Sequence, residues 1–192
     1  MQLGGKSYFW LEKTNVVSMI QEYQVSGFRV REYEELGSTN TEAERVGWSE
    51  LEDKMVILTY RQTQGRGQVG NHWESEPGKN ISMTVVFKPR ELLAGQQFAV
   101  SMVIALGACD FISRYVSECS VKWPNDIYVG DRKISGILIE HSIMGRYVGG
   151  SLCGIGVNIN QEQFLSDAPN PVSLFQLLGR ELPLQEVLEE LL

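Results

Sequence analysis

Three stretches of the chain carry residue types and spacings suited to chemistry. The segment QTQGRGQVGNHW, Gln62 to Trp73, sets Gly65, Gly67 and Gly70 at the spacing G-x-G-x-x-G. Glycines let backbone amides approach a ligand closely, while Arg66 adds a fixed charge and Trp73 a large flat surface. In KWPNDIYVGDRKISG, Lys122 ends a strand-like run, Pro124 to Asp126 form a turn, and Lys133 enters the next run before Gly136. In GIGVNIN, Gly154 and Gly156 interrupt a strand so that another group can pack on its backbone, and Asn158 offers a donor and an acceptor together. Arg66, Lys122, Arg132 and Lys133 stand in or beside loops next to glycine or proline, which gathers positive charge around an anionic ligand; each also reads as a solvated surface cation.

The glycine spacing by itself suggests a dinucleotide-binding turn. That fingerprint requires a strand turning into a helix whose N-terminus receives the pyrophosphate. Here MVILTY precedes the glycines as a buried strand, and NHWESEPGKN follows, with a Pro-Gly pair and few helix formers, before a second strand, ISMTVVF. The acidic residue expected about 20 positions on for a ribose hydroxyl has no good candidate, since Glu91 lies beyond KPR at a turn. Strand, glycine loop, strand argues against a Rossmann unit.

The elements that must position these stretches alternate in type, with no internal repeat and no low-complexity linker. NVVSMIQEYQV can form a short helix, and SGFRVREYEEL reads as a first strand after Gly27. STNTEAERVGW begins a helix, with Ser38 or Thr39 as N-cap and Glu42 at capping-box spacing from Thr39. In AGQQFAVSMVIALGACDFISRYV, the stripe Phe98, Met102, Leu106, Cys109, Ile112 and Tyr115 predicts a long helix packed on the core. SVKW is a short strand ended by Pro124, and DIYV, KISGILIEHSI and RYVGGSLCGIGVNI follow as strands joined by turns around GD and MGR, which predicts adjacent antiparallel pairing. The tail PVSLFQLLGRELPLQEVLEELL is helical, with Gly179 closing one segment and Pro183 near the start of the next. Helices and strands arranged in runs point to an α+β fold.

Composition sets bounds on function. A chain of 192 residues suffices for one domain with a full core, and 43% hydrophobic with 21% charged residues is ordinary for a globular protein. No apolar run reaches the roughly 18 residues of a membrane span. MQLGGKSYFWLEK lacks the apolar core of a signal peptide, so a cytoplasmic location without a membrane partner is expected. Cys109, Cys119 and Cys153 have no C-x-x-C spacing and suit reduced, mostly buried thiols; His72 and His141 are too few and scattered for a metal cluster. A net charge of -7 argues against general affinity for nucleic acid.

Taken together, STN, QTQGRGQVGNHW, KWPNDIYVGDRKISGILIE and GIGVNIN, in that order between about Glu35 and Asn160, resemble the biotin protein ligases, which attach biotin to a lysine of a carrier protein. The resemblance implies a mixed, largely antiparallel sheet packed against helices, of the class II aminoacyl-tRNA synthetase and biotin ligase kind. It implies an N-terminal segment over residues 1–27 and the catalytic domain over 28–192. It implies a reaction in which biotin and ATP, with Mg2+, give biotinyl-5'-AMP and pyrophosphate, and a lysine of a carboxylase's biotin carboxyl carrier domain then attacks the mixed anhydride. Biotin's carboxylate must reach the α-phosphate in line while the repulsion of the two anions is offset, which calls for oriented amides, cations and Mg2+.

By this resemblance Ser38, Thr39, Asn40 and Gln62 hydrogen-bond the ureido and neighbouring parts of biotin, although as residues alone they read as a helix cap and a polar strand end. Gly65, Arg66 and Gly67 wrap the carboxyl and phosphate groups, and Lys133 contacts the carboxylate and the anhydride oxygens. Lys122 stabilises charge at the α-phosphate, with Asn125 and Asp126 arranging the site or the metal; Asp126 also reads as a plain turn former. Trp73 packs against adenine with Asn158 facing it, Gln68, Val69 and Asn71 lie along the nucleotide, and Gly136 and Gly154 leave room for biotin's bicyclic ring.

The chain departs from that pattern in one place. Many bacterial members carry GRGRRGR, whereas Gln68, Val69 and Asn71 stand at the later positions here. Neutral side chains there should hold pyrophosphate and adenylate less strongly, leaving Arg66 and Lys133 to carry the first half-reaction. Residues 1–27 are too short and not basic enough for the helix-turn-helix domain of some members, so no operator binding is expected. Members usually continue into a small β-barrel, whereas this chain stops at Leu192; weaker turnover is the expectation. Lipoate ligases and octanoyl transferases share the fold but resemble the glycine loop and KWPND less, and a catalytically silent biotin- or nucleotide-binding module is the reading from another class. An exposed strand such as RYVGGSLCGIGV is a candidate edge for homodimer pairing.

Overall fold

A computed structural model of the chain describes residues 18–68, 70–166 and 169–192. Its strands are β1 (Met19–Val25), β2 (Phe28–Tyr33), β3 (Met55–Thr59), β4 (Gly65–Arg66), β5 (His72–Trp73), β6 (Ile81–Phe87), β7 (Cys119–Lys122), β8 (Asp126–Val129), β9 (Arg132–Met144) and β10 (Tyr147–Val157). The helices are α1 (Thr39–Val46), α2 (Phe98–Ser113), α3 (Leu174–Leu178) and α4 (Leu184–Leu191). Eight strands form one sheet in the order β1-β2-β3-β6-β10-β9-β8-β7, while β4 and β5 pair separately. All neighbours in the large sheet are antiparallel except β2 and β3. This is the α+β, mixed and largely antiparallel architecture expected.

Period-two alternation sorts side chains between two cores. Val56 and Leu58 of β3 join a large core with Met83, Val85, Ile155 and Val157, over which α2, α3 and α4 lay Phe111, Ile112, Leu174 and Leu188. Met55 and Ile57 join a smaller core with Val86, Leu152 and Ala43 of α1. Because both faces are covered, MVILT reads as an unbroken apolar run. The same alternation turns Ile137 and Ile139 of β9 and Cys153 and Ile155 of β10 toward the large core. Gly136, Leu138 and Glu140, with Gly154 and Gly156, are left on the face that α1 caps.

Residues 19–25 of the expected N-terminal helix are β1, paired with β2 from Val25↔Phe28 to Met19↔Tyr33; Asn15 to Val17 lie outside the described residues. Glu22, Tyr23 and Gln24 make cross-strand partners that a helix would lose, and the sheet thus continues across the expected boundary at residue 28. The α1 capping box does not form. Ser38 is the N-cap without a side-chain bond, Glu42 is held by Arg45 at 2.7 and 2.8 Å, and the Thr39 hydroxyl goes to Thr84. A capping box forms instead at α3, between Ser173 and Gln176. At the tail, Gly179 closes α3 in the left-handed region at φ 69° and Pro183 precedes α4, as expected. The RYVGG strand is not an edge: β10 runs between β6 and β9.

The stripe expected to bury α2 is half wrong. Phe98, Met102 and Leu106 are 45%, 49% and 58% exposed, whereas Val100, Ala105, Ala108, Phe111 and Ile112 face the sheet. Apolar residues surround this helix, so spacing fits two faces, and the small Ala105 and Ala108 decide which one approaches the strands closely. For the same reason Ala94–Ser113, with an 18-residue window of mean hydropathy 1.4, is long and apolar enough for a membrane span by length and composition, although Gln96, Gln97, Ser101 and Asp110 interrupt it as an apolar run. Phe111→Ala should cost about 3–5 kcal/mol. Leu106→Ser should stay within about 0.5 kcal/mol in urea unfolding; equal costs would put the original stripe inside.

Candidate active site

A cavity of about 750 Å3 opens over the β9–β10 pair on the α1 face. It is bounded by Ser38–Asn40 at the start of α1, by the glycine segment, by the β7–β8 turn, and by Phe164, Ser166, Pro169 and Pro171 after β10. No helix follows the glycines; Gly65 pairs with Trp73 and Arg66 with His72 in a two-stranded ladder, and Gly67 N donates to Asn71 O at 3.0 Å. Every expected site residue lines the cavity except Gly65 and Val69. Gly65 is packed behind it, where a Cβ would collide with the Trp73 carbonyl. Val69 lies outside the described residues.

At one end the STN residues are buried and already braced. Gln62 Oε1 accepts from Thr39 N at 2.9 Å. Thr84 Oγ1 lies 2.5 Å from Asn40 Oδ1 and 2.8 Å from Thr39 Oγ1; with one hydrogen, it donates to the amide oxygen and accepts from Thr39. Asn40 Nδ2 donates to Glu140 Oε2 at 2.7 Å and to Leu138 O at 3.3 Å. Glu140 also takes Arg66 Nη2 at 2.5 Å, and Arg66 Nη1 lies 3.6 Å from Glu44, so the Arg66 charge is offset by two carboxylates. Sequence reasoning missed Thr84 and Glu140, although each stands polar at an alternate position in an apolar strand.

The indole of Trp73 lies on Gly136 and Gly156, which face each other across β9 and β10. A Cβ at Gly136 would come within 2.9 Å of Trp73 Cζ3, and one at Gly156 would collide with the ring. The space over Gly154 is filled by the Asn40 amide. The room expected over Gly136 and Gly154 for a bicyclic ligand is therefore taken by Trp73 and Asn40, and a ligand must lie beyond these side chains. Trp73 Nε1 and Asn158 Oδ1 are buried without a hydrogen-bond partner, while Asn158 Nδ2 donates to Val172 O at 3.0 Å. Buried polar atoms are costly when unpaired, so these two favour a polar ligand.

Lys122 Nζ lies 3.1 Å from Tyr128 Oη and 4.6 Å from the centre of its ring. Lys133 Nζ forms a 2.7 Å ion pair with Asp126 and lies 5.8 Å from the Trp73 ring centre. Asn125 spends its side-chain NH2 on the fold: Nδ2 donates to Ile137 O at 2.6 Å while the Asn125 backbone carbonyl accepts from Ile137 N. The described residues contain no group of three or more His, Cys, Asp and Glu able to hold a metal ion. On the opposite wall, Glu74 Oε1 accepts from Leu165 N at 2.8 Å and Gln161 Nε2 at 3.0 Å, and Oε2 from Ser166 N at 2.8 Å. Burial pushes the Glu74 carboxyl up, but the bonds from Ser166, Leu165 and Gln161 outweigh it and hold it below the ordinary range.

The site is thus a cavity on an α+β sheet, of the size of a small-molecule pocket, with lysines on one wall and a braced amide cluster at its end. The chain belongs to the biotin/lipoate A/B protein ligase family, whose profile matches residues 33–158. It is 25% identical over 175 residues to the bifunctional ligase/repressor BirA of Bacillus subtilis, covering 88% of this chain and 53% of that one. It is 33% identical over 124 residues to the biotin--[acetyl-CoA-carboxylase] ligase of Paracoccus denitrificans, covering 64% of this chain and 51% of that one. The chain thus spans about half the length of these relatives. The biotin protein ligase of Aquifex aeolicus in complex with biotin and ATP superposes with a TM-score of 0.69 at 26% identity, over 84% of this chain and 66% of that one. The Leishmania major enzyme in complex with biotinyl-5-AMP shares the fold at a TM-score of 0.69 and 21% identity.

Proposed function

We propose that this chain activates biotin with ATP as biotinyl-5'-AMP and transfers biotin to a lysine of a biotin carboxyl carrier domain. One observation carries the reading: in a chain of this family, Lys122, Lys133 and the glycine segment meet the buried Ser38–Asn40 cluster across one cavity. In the first step a biotin carboxylate oxygen attacks the α-phosphorus, and the bond to the β-phosphate oxygen breaks to release pyrophosphate. Lys133 steers the carboxylate, and Lys122 offsets charge growing on the α-phosphate. In the second step the carrier amine attacks the acyl carbon, the anhydride C–O bond breaks, AMP leaves and the amine loses its proton.

Mg2+ belongs to the same proposal. It would supply charge neutralisation on the phosphates, held by their oxygens and by Asp126, since such ions commonly use one or two carboxylates plus substrate phosphate. Asp126 suits that role because it already stands at the cavity beside Lys133. With Arg66 paired to Glu140 and with Gln68 and Asn71 neutral, the two lysines carry most of the anion binding in this reading.

Incubation with ATP, a carrier domain, and biotin or lipoate separates the possibilities. Biotin-dependent pyrophosphate release and a biotinylated carrier are expected. Lipoate dependence would name the other branch of the family, and ligand binding without release would name a silent module.

A further inference from the structure

Residues 162–166 reach the cavity with little apolar anchoring. Leu165 is 88% exposed, and Glu162, Gln163 and Ser166 are exposed, yet Phe164 and Ser166 line the cavity. Their backbone is tied to the residue that follows Trp73. Glu74 collects Leu165 N, Ser166 N and Gln161 Nε2 on its two oxygens. Gln161, 1% exposed, passes the connection on, its Oε1 accepting from Glu76 N at 3.0 Å and Asn80 Nδ2 at 2.5 Å. Asn80 Oδ1 in turn accepts from Ile159 N at 3.0 Å, next to Asn158.

We infer that Glu74 is a positioning residue for the nucleotide: its carboxylate clasps the 164–166 wall to the exit strand of the glycine segment, so that the half of the cavity beside Asn158 is formed before ATP binds. The inference rests on the proposed ligase reading. Hydrogen bonds to an ionised carboxylate are about twice as strong as neutral ones, and three of them converge on one side chain in a stretch with little else to fix it. Glu74→Gln turns one acceptor oxygen into an NH2 group facing a backbone N–H; Glu74→Asp keeps the charge on a shorter arm. Neither touches the Ser38–Asn40 end.

The test compares wild type with Glu74→Gln, Glu74→Ala and Glu74→Asp in biotin-dependent pyrophosphate release, together with amide hydrogen exchange. The KM for ATP should rise roughly tenfold for Gln and Ala and less for Asp, the KM for biotin should change less than twofold, and Leu165 and Ser166 should exchange faster while the sheet does not. Equal increases in both KM values, or faster exchange with an unchanged KM for ATP, would overturn the clasp. If wild type releases no pyrophosphate, the ligase reading fails on its own. The clasp is then judged by exchange at Leu165 and Ser166 and by calorimetric ATP affinity: faster exchange at both amides and weaker ATP binding in Glu74→Gln support it, and unchanged values overturn it.

Discussion

Lys133→Ala should lower biotin-dependent pyrophosphate release by about a hundred- to a thousandfold, the usual range for removing one preorganised charge-stabilising donor. Two effects add. The cation that draws the carboxylate and phosphate together is lost, and the Asp126 carboxylate, now 2.7 Å from Lys133 Nζ, is left facing two incoming anions without its partner. Lys133→Ala combined with Asp126→Asn should recover none of the loss, because it relieves the second effect but also removes the carboxylate proposed to hold Mg2+; recovery would take Asp126 out of the metal site. Lys133→Arg should recover little, because a guanidinium pairs with the Asp126 carboxylate and stacks on the Trp73 ring, which holds its charge there rather than presenting a compact point charge to the reacting oxygens. Folding should barely change, since partly exposed ion pairs contribute about 0–1 kcal/mol. Pyrophosphate exchange at wild-type rate in a folded Lys133→Ala protein would remove Lys133 from the first half-reaction.

How much of this was legible follows from which interactions are local. Strand runs bounded by turns placed β6 to β10, and the antiparallel order of β8, β9 and β10 was legible because register there follows from short connections such as Gly130-Asp131 and Gly145, whereas the pairing of β6 with β10 spans a long stretch of chain. Cavity residues were legible through motif identity. What each side chain does before ligand arrives was not, because it depends on partners distant in sequence. Arg66 reads as a free cation until Glu140, 74 residues on, is found against it. Gly154 reads as clearance until Asn40 is found in that clearance. Glu74 carried no motif signal, since its partners lie 87 to 92 residues away. The β1 strand and the inner face of α2 failed for a related reason. A strand is defined by its neighbour, and a helix apolar on every side has no periodicity to betray its inward face.

Gly156→Ala is the smallest change expected to disable the site while sparing the fold. Gly156 has no strained backbone to protect; its importance is the indole of Trp73, which occupies the volume a methyl group would need. Overpacking of this kind costs about 1–3 kcal/mol when the neighbour cannot move. Trp73 can move, because among the described residues its backbone is held by the short, two-residue β4–β5 ladder and, through the next residue, by the Glu74 clasp. The strand should therefore keep its place between β6 and β9 while the ring leaves the cavity, taking the glycine segment with it. Adenylate formation should fall at least tenfold while thermal unfolding shifts by only a few degrees, an estimate for roughly 1 kcal/mol in a domain of this size. Trp73→Leu supplies the control: in that background the clash is gone, and Gly156→Ala should cost little more, giving a coupling of about 1–3 kcal/mol in the double-mutant cycle on adenylation. Additive losses would mean that Gly156 acts through its own backbone contact with the ligand rather than through the indole, and the assignment of the β9–β10 glycines as the seat of Trp73 would fall.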